Sequence, residues 1–179
     1  MGLDLSLTGA GVATASTVVC LRPPKVQAGR TRTAEDNLAR LLWFKTELAR
    51  LFERERPQLV VLEDHSGGHT PSAHVAFQLG EQAGVVKVML ANGRVPMVLV
   101  ASSQRQKFAT GKGNASKVEV LIAARDRFGY EGHDDNEADA IVLRAMGCEA
   151  MGQPLLTVPA THRAALDKVE WPAWLRETA

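Results

Sequence analysis

Three carboxylates stand where a buried element does not need them. Asp4 lies between Leu3 and Leu5, Glu63 closes the apolar run "LVVLE", and Asp139 precedes the apolar "AIVL". Asp is disfavoured inside strands, and an unpaired buried carboxylate is costly. Each acid alone has a plain reading as a strand-end charge, a solvated acid or a helix-dipole partner. Taken together, acids at a strand centre, at the end of a neighbouring strand and at a helix start can converge on a hard cation. Mg²⁺ takes oxygen ligands, usually a few carboxylates with water and substrate phosphate. Two such ions about 4 Å apart can activate water and stabilise the leaving oxygen of a phosphodiester. Within "GHDDNEADAI", Asp134 and Glu137 fit a different task, favouring a helix N-terminus through its dipole.

Cations are patterned too. From Arg105 to Lys117 the chain carries Arg105, Lys107, Lys112 and Lys117 and no acid, and Arg22, Lys25, Arg30 and Arg32 form a second acid-free group. These are either solvated surface or local nucleic-acid contacts. The formal net charge of +1 excludes a protein that coats nucleic acid by bulk charge. Backbone amides of the Gly-rich "GKGN" loop, at the start of a helix, can take a phosphate. The spacing of a Walker loop is absent.

The elements that must position these residues follow from periodicity and punctuation. "GLDLSL", "GVATAST" and "VVCL…KVQAG" read as three short strands, the first two joined through "LTGAG". Thr33 opens a helix with Asp36 completing a near capping box, and Pro57 ends it. Gln58 to Glu63 is a strand of the type buried on both faces. A helix from about Ala73 to Ala91 follows, closed by Asn92-Gly93, then the strand "VPMVLVA". Ser102 or Ser103 caps a brief helix, Asn114 caps one that Gly129 stops, and Gly147 ends the last. Three strands followed by alternating helices and strands predict a mixed α/β sheet with crossover helices.

The 179 residues suit one domain. Residues 1–150 are expected to form it, with 151–179, rich in Pro and carrying Trp171 and Trp174, as a tail on the core or on a partner. No apolar run nears the roughly 20 residues of a membrane span. The N-terminus lacks the features of a secretion signal, and Cys20 and Cys148 have no partner motif, so a reduced cytoplasmic protein is expected.

"GLDLSLTGAGVA", "VVLED", "LGEQAGVV", "GKGNASK" and "NEADAI", in this order, resemble the RuvC Holliday-junction resolvases, most of all the shorter RuvC-like nucleases of bacteriophages. The likeness covers about residues 1 to 147. It implies an RNase H-like fold with a five-stranded sheet, three strands antiparallel and the rest parallel. It also implies a Mg²⁺- or Mn²⁺-dependent endonuclease, usually a homodimer, that nicks branched DNA in the bacterial cytoplasm. Asp4, Glu63 and Asp139 match three metal-site acids. The fourth position, three before the last, holds Asn136. Asp135, four before it, lies on the same helical face, so the fourth ligand stays open between Asp135 and Asn136. Lys117 matches a lysine that lies close to the scissile phosphate, with Arg105, Lys107, Lys112 and Asn114 as further DNA contacts. Dimerisation is expected on the helix from Ala73 to Ala91.

The chain departs from the pattern in two places. The aromatic wedge of the cellular enzymes is missing from "DHSGGHT", where His65 and His69 could instead meet DNA or metal, and flaps or forks become candidate substrates. The chain also begins only three residues before Asp4, which suggests a natural start further upstream. Competing readings are a YqgF-like nuclease acting on RNA and a catalytically weak DNA-binding module. An actin-like ATPase would need a second domain and an Asp-Gly-Gly phosphate motif.

Overall fold

The computed structural model describes residues 1–25, 33–64 and 72–176. Five strands form one sheet: β1 (Gly2–Asp4), β2 (Ala10–Ala13), β3 (Val18–Leu21), β4 (Val60–Asp64) and β5 (Met97–Ala101), in the order β3-β2-β1-β4-β5. β1 runs antiparallel to β2 and β2 to β3, whereas β1, β4 and β5 are parallel. The expected architecture, a mixed sheet of RNase H-like type, is therefore present.

Helices α1 (Ala34–Glu55) and α2 (Ala73–Asn92) supply one face. Thr33 caps α1 and forms a reciprocal box with Asp36, as its sequence suggests. Phe44, Leu48 and Leu51 of α1 and Val86 and Leu90 of α2 bury against Leu3, Val12, Val60 and Leu62. The opposite face is covered by α3 (Ser102–Thr110), α4 (Lys117–Phe128) and α5 (Asp135–Ala150). Their Phe108, Val120, Val142, Leu143 and Met146 pack on Val61, Val98 and Val100.

Strand parity then decides where the acids point. Successive side chains alternate between faces, so if Leu3 and Leu62 face α1 and α2, Asp4 and Glu63 face α5. Glycines bring α5 unusually close on that side. A Cβ on Gly11 would lie 1.9 Å from the Asn136 carbonyl oxygen, and one on Gly2 would lie 2.1 Å from that of Ala140. The two glycines thus bracket the turn of α5 that carries Asp139.

Three boundaries differ from the sequence reading. Ser116, not Asn114, caps α4, in a box with Glu119. Ala101 rather than a serine stands at the start of α3. Gly147 lies inside α5, where a Cβ would come 2.8 Å from Val61 Cγ2, so it is a close-packing glycine rather than a terminator.

Beyond α5, Ala165, Val169 and Leu175 join the same apolar cluster as Phe108 and Met146. His162 is buried with Nδ1 at 3.1 Å from the Phe108 carbonyl oxygen, and Gln104 Nε2 donates to the Lys168 carbonyl at 2.7 Å. The segment after α5 therefore grips α3. No helix among the described residues is long and apolar enough to cross a membrane.

Candidate metal centre

Parallel pairing of Gly2 with Val61 and Leu3 with Leu62 sets Asp4 beside Glu63 at the C-terminal ends of β1 and β4. Asp139 descends on them from α5. One carboxylate oxygen from each lies within 4.8 Å of the others, and all three side chains are buried.

Ser102 Oγ donates to Glu63 Oε1. Arg105 of α3 enters the same pocket at only 5 % exposure. Its Nη1 donates to Asp139 Oδ1, and its Nη2 donates to Glu63 Oε1 at 3.3 Å. Its Nε lies 3.2 Å from Glu63 Oε2, within ion-pair reach but without hydrogen-bond alignment.

Burial holds the Asp4 carboxyl well above its ordinary range. The charge of Glu63, a hydrogen bond with it and the charge of Asp139 add to this, against Arg105. Asp139 is pushed up to about 7, first by burial and then by Glu63, with Arg105 opposing.

The donor set fits a divalent cation. All its atoms are oxygens, three carboxylates face one arginine, and the acids resist ionising without a counter-charge. Oxygens around one Mg²⁺ lie roughly 2.1 Å from the ion, so up to about 4.2 Å apart. The three oxygens, all within 4.8 Å of one another, are gathered on that scale.

A pH dependence follows. In the unfolded chain Asp139 releases its proton near pH 3.8, in the folded chain near 7. The folded state holds more protons across that window, so its stability falls as pH rises through it. With metal chelated, the melting temperature of the wild type is expected to fall relative to Asp139→Asn between pH 5 and pH 8. Parallel profiles for the two proteins would refute this assignment.

The remaining sequence candidates are distributed around this core. Asp135 stands outside the three-acid cluster and accepts from Lys117 Nζ at 2.5 Å, and that hydrogen bond lowers its pKa. Lys117 is exposed, and its hydrogen bond to Asp135, then the charges of Asp135, Asp139 and Asp4, raise its pKa. Asn136 sits half-buried in the first turn of α5. Asp134 caps α5 by accepting from the amides of Asn136 and Glu137, and Glu137 also accepts from the Tyr130 hydroxyl at 2.7 Å. Lys112 and Asn114 are exposed on the loop after α3, and Lys107 is half-buried on α3. Arg22 is drawn onto Asp134. His65 and His69, with Arg30 and Arg32, lie outside the described residues.

Arg105 is the main correction to the sequence reading. It stands not on an exposed basic surface but among the acids, because α3 turns it inward with Phe108 and Ala109. That i, i+3, i+4 spacing was the available signal. Ser102, read as a cap, instead serves Glu63.

No protein-family model matches the chain. The crossover junction endodeoxyribonuclease RuvC of Chlamydia trachomatis is 33% identical over 102 residues, 55% of this chain and 59% of that protein. The chain thus spans under two thirds of the length of these curated relatives. RuvC of Prochlorococcus marinus is 28% identical over 120 residues, 66% of this chain and 76% of that protein. A solved structure of Thermus thermophilus RuvC with a Holliday junction substrate superposes with a TM-score of 0.61. Its identity is 22%, over 88% of this chain and 97% of that one. The RuvC-like character suggested by the motifs is borne out in sequence and in fold.

Proposed function

We propose that the chain is a divalent-metal-dependent endonuclease that nicks branched DNA, four-way junctions first and flaps or forks with them. One observation carries this reading: three buried carboxylates converge where β1, β4 and α5 of a RuvC-like fold meet. Asp4, Glu63 and Asp139 would hold the metal, Mg²⁺ or Mn²⁺ with two ions per site, and Asp135 or Asn136 would complete the set. When bound, such ions activate the attacking water and stabilise the departing 3′ oxygen.

The chain's own residues do the positioning. Ser102 orients Glu63. Lys117, exposed and paired with Asp135, would set a positive charge against the scissile phosphate. Lys107, Lys112 and Asn114 would line the backbone path beside the Gly111–Gly113 loop, and His65 and His69, outside the described residues, are further candidate DNA contacts. Cutting two strands symmetrically calls for two copies of the site. An exposed stripe on α2 suits a second copy: Phe77 and Val88 are solvent-facing large apolar residues, and Gly80 and Gly84 between them have open space. The setting would be the cytoplasm, where the DNA is.

Synthetic four-way, flap, fork, linear duplex and RNA substrates in Mg²⁺ or Mn²⁺ test this reading. Paired nicks in the junction by a dimer in sedimentation are expected. Cutting of RNA alone would transfer the chain to the RNA-directed reading, and no cutting of any branched DNA would leave only a binding module.

A further inference from the structure

Arg105 has no task in the mechanism above, yet it lies at its centre. It bridges Glu63 and Asp139, two of the three acids that would hold the metal. Three carboxylates and one guanidinium leave two negative charges at full ionisation. That matches one divalent ion and not two. A guanidinium presents five donors that want acceptors, and Arg105 Nε is buried without an aligned one. Its fit to the pocket is therefore incomplete, whereas its charge fit is good.

We infer that Arg105 is a resident counter-cation of the metal-free site and must leave it before the site is fully loaded. This rests on the proposed metal-dependent function. The same oxygens cannot serve both cations fully, since a metal would take Glu63 and Asp139 at about 2.1 Å. The motion is confined to the side chain. The backbone of α3 is fixed where Gln104 accepts from the Ala101 amide at 2.8 Å and donates to Lys168, and where His162 meets the Phe108 carbonyl. In the metal-free state the arginine keeps the acids gathered and lowers their mutual repulsion. The consequence is a lower apparent metal affinity, because full loading draws on the arginine-out population.

Two readouts that do not depend on cleavage test this. Calorimetric titration with Mn²⁺ at neutral pH is expected to give at least about tenfold tighter binding for Arg105→Leu than for wild type. In the wild type itself, the Arg105 side-chain Nε–H resonance, assigned by its loss in Arg105→Lys, is expected to shift and exchange faster with solvent as Mg²⁺ saturates. The second readout stands even if the leucine variant does not fold. Equal Mn²⁺ affinity in both proteins, or a resonance unmoved at saturation, would overturn the inference while leaving the metal site intact. Absence of Mn²⁺ binding in both would overturn the metal-dependent reading as well.

Discussion

Glu63→Gln is expected to lower Mg²⁺-dependent junction cleavage by on the order of 10³-fold while junction binding in Ca²⁺ stays within about threefold. The substitution keeps the side chain's shape and removes one negative charge. Glu63 is in the middle of the polar network, receiving Ser102 and Arg105 and lying beside Asp4. Losing that charge removes a metal ligand of full strength, yet the exposed lysines proposed to meet the backbone are untouched. Stability should move the other way. Burial holds the neighbouring Asp4 carboxyl far above its ordinary range, so the cluster is strained by its own charge. A neutral Gln relieves that strain, and the metal-free melting temperature should hold or rise, the usual trade between activity and stability. Gel-shift, cleavage rate and thermal melting on one preparation decide it. Loss of binding together with cleavage, or a large fall in melting temperature, would show Glu63 to be structural.

Gly11→Ala is expected to be among the most damaging single changes in the protein. One added methyl would stand 1.9 Å from the carbonyl oxygen of Asn136 and 2.4 Å from its carbonyl carbon. Both are backbone atoms, so no rotamer change can make room. Either α5 lifts off β2 or the hairpin distorts, at a cost of about 3 kcal/mol or more. In a chain of this length that lowers the melting temperature by about 10 °C. Any protein that still folds would carry Asp139 displaced from Asp4 and Glu63, and so should bind Mn²⁺ weakly. Gly80→Ala is the control: its position in α2 has open space, and alanine is the better helix former. A Gly11→Ala protein melting like wild type would refute the close approach of α5 to the sheet.

Much of this arrangement is legible from residue order. An acid interrupting apolar residues marks Asp4, Glu63 and Asp139, whereas the face that Asp4 and Glu63 share is set by the register of β1 on β4. Thr33, Asp36, Asp134 and Gly93 act where their types predict, because capping is a local interaction. The failures have a common cause: they depend on what lies opposite. Gly147 reads as a helix terminator but is small because Val61 is beneath it. Asn114 is the exception, because Ser116 with Glu119 three residues on forms a capping box that residue order already carries. Arg105 carries a charge that suggests solvent, and only the acids gathered on two other elements make its burial tolerable. Asp135 is on the helical face of Asp139, yet Lys117, brought from α4, holds it.

The site draws on the first strand, the fourth and the last long helix, so the three acids come from nearly the whole chain. Contacts between such distant segments close late in folding. A ribosome releases the N-terminal strands first, and Asp4 and Glu63 lack the third acid until α5 has emerged and docked on Gly2 and Gly11. During its own synthesis the chain therefore holds no assembled cation pocket. A molecule cut short before Asp139 cannot gain one, so incomplete products are inert by construction.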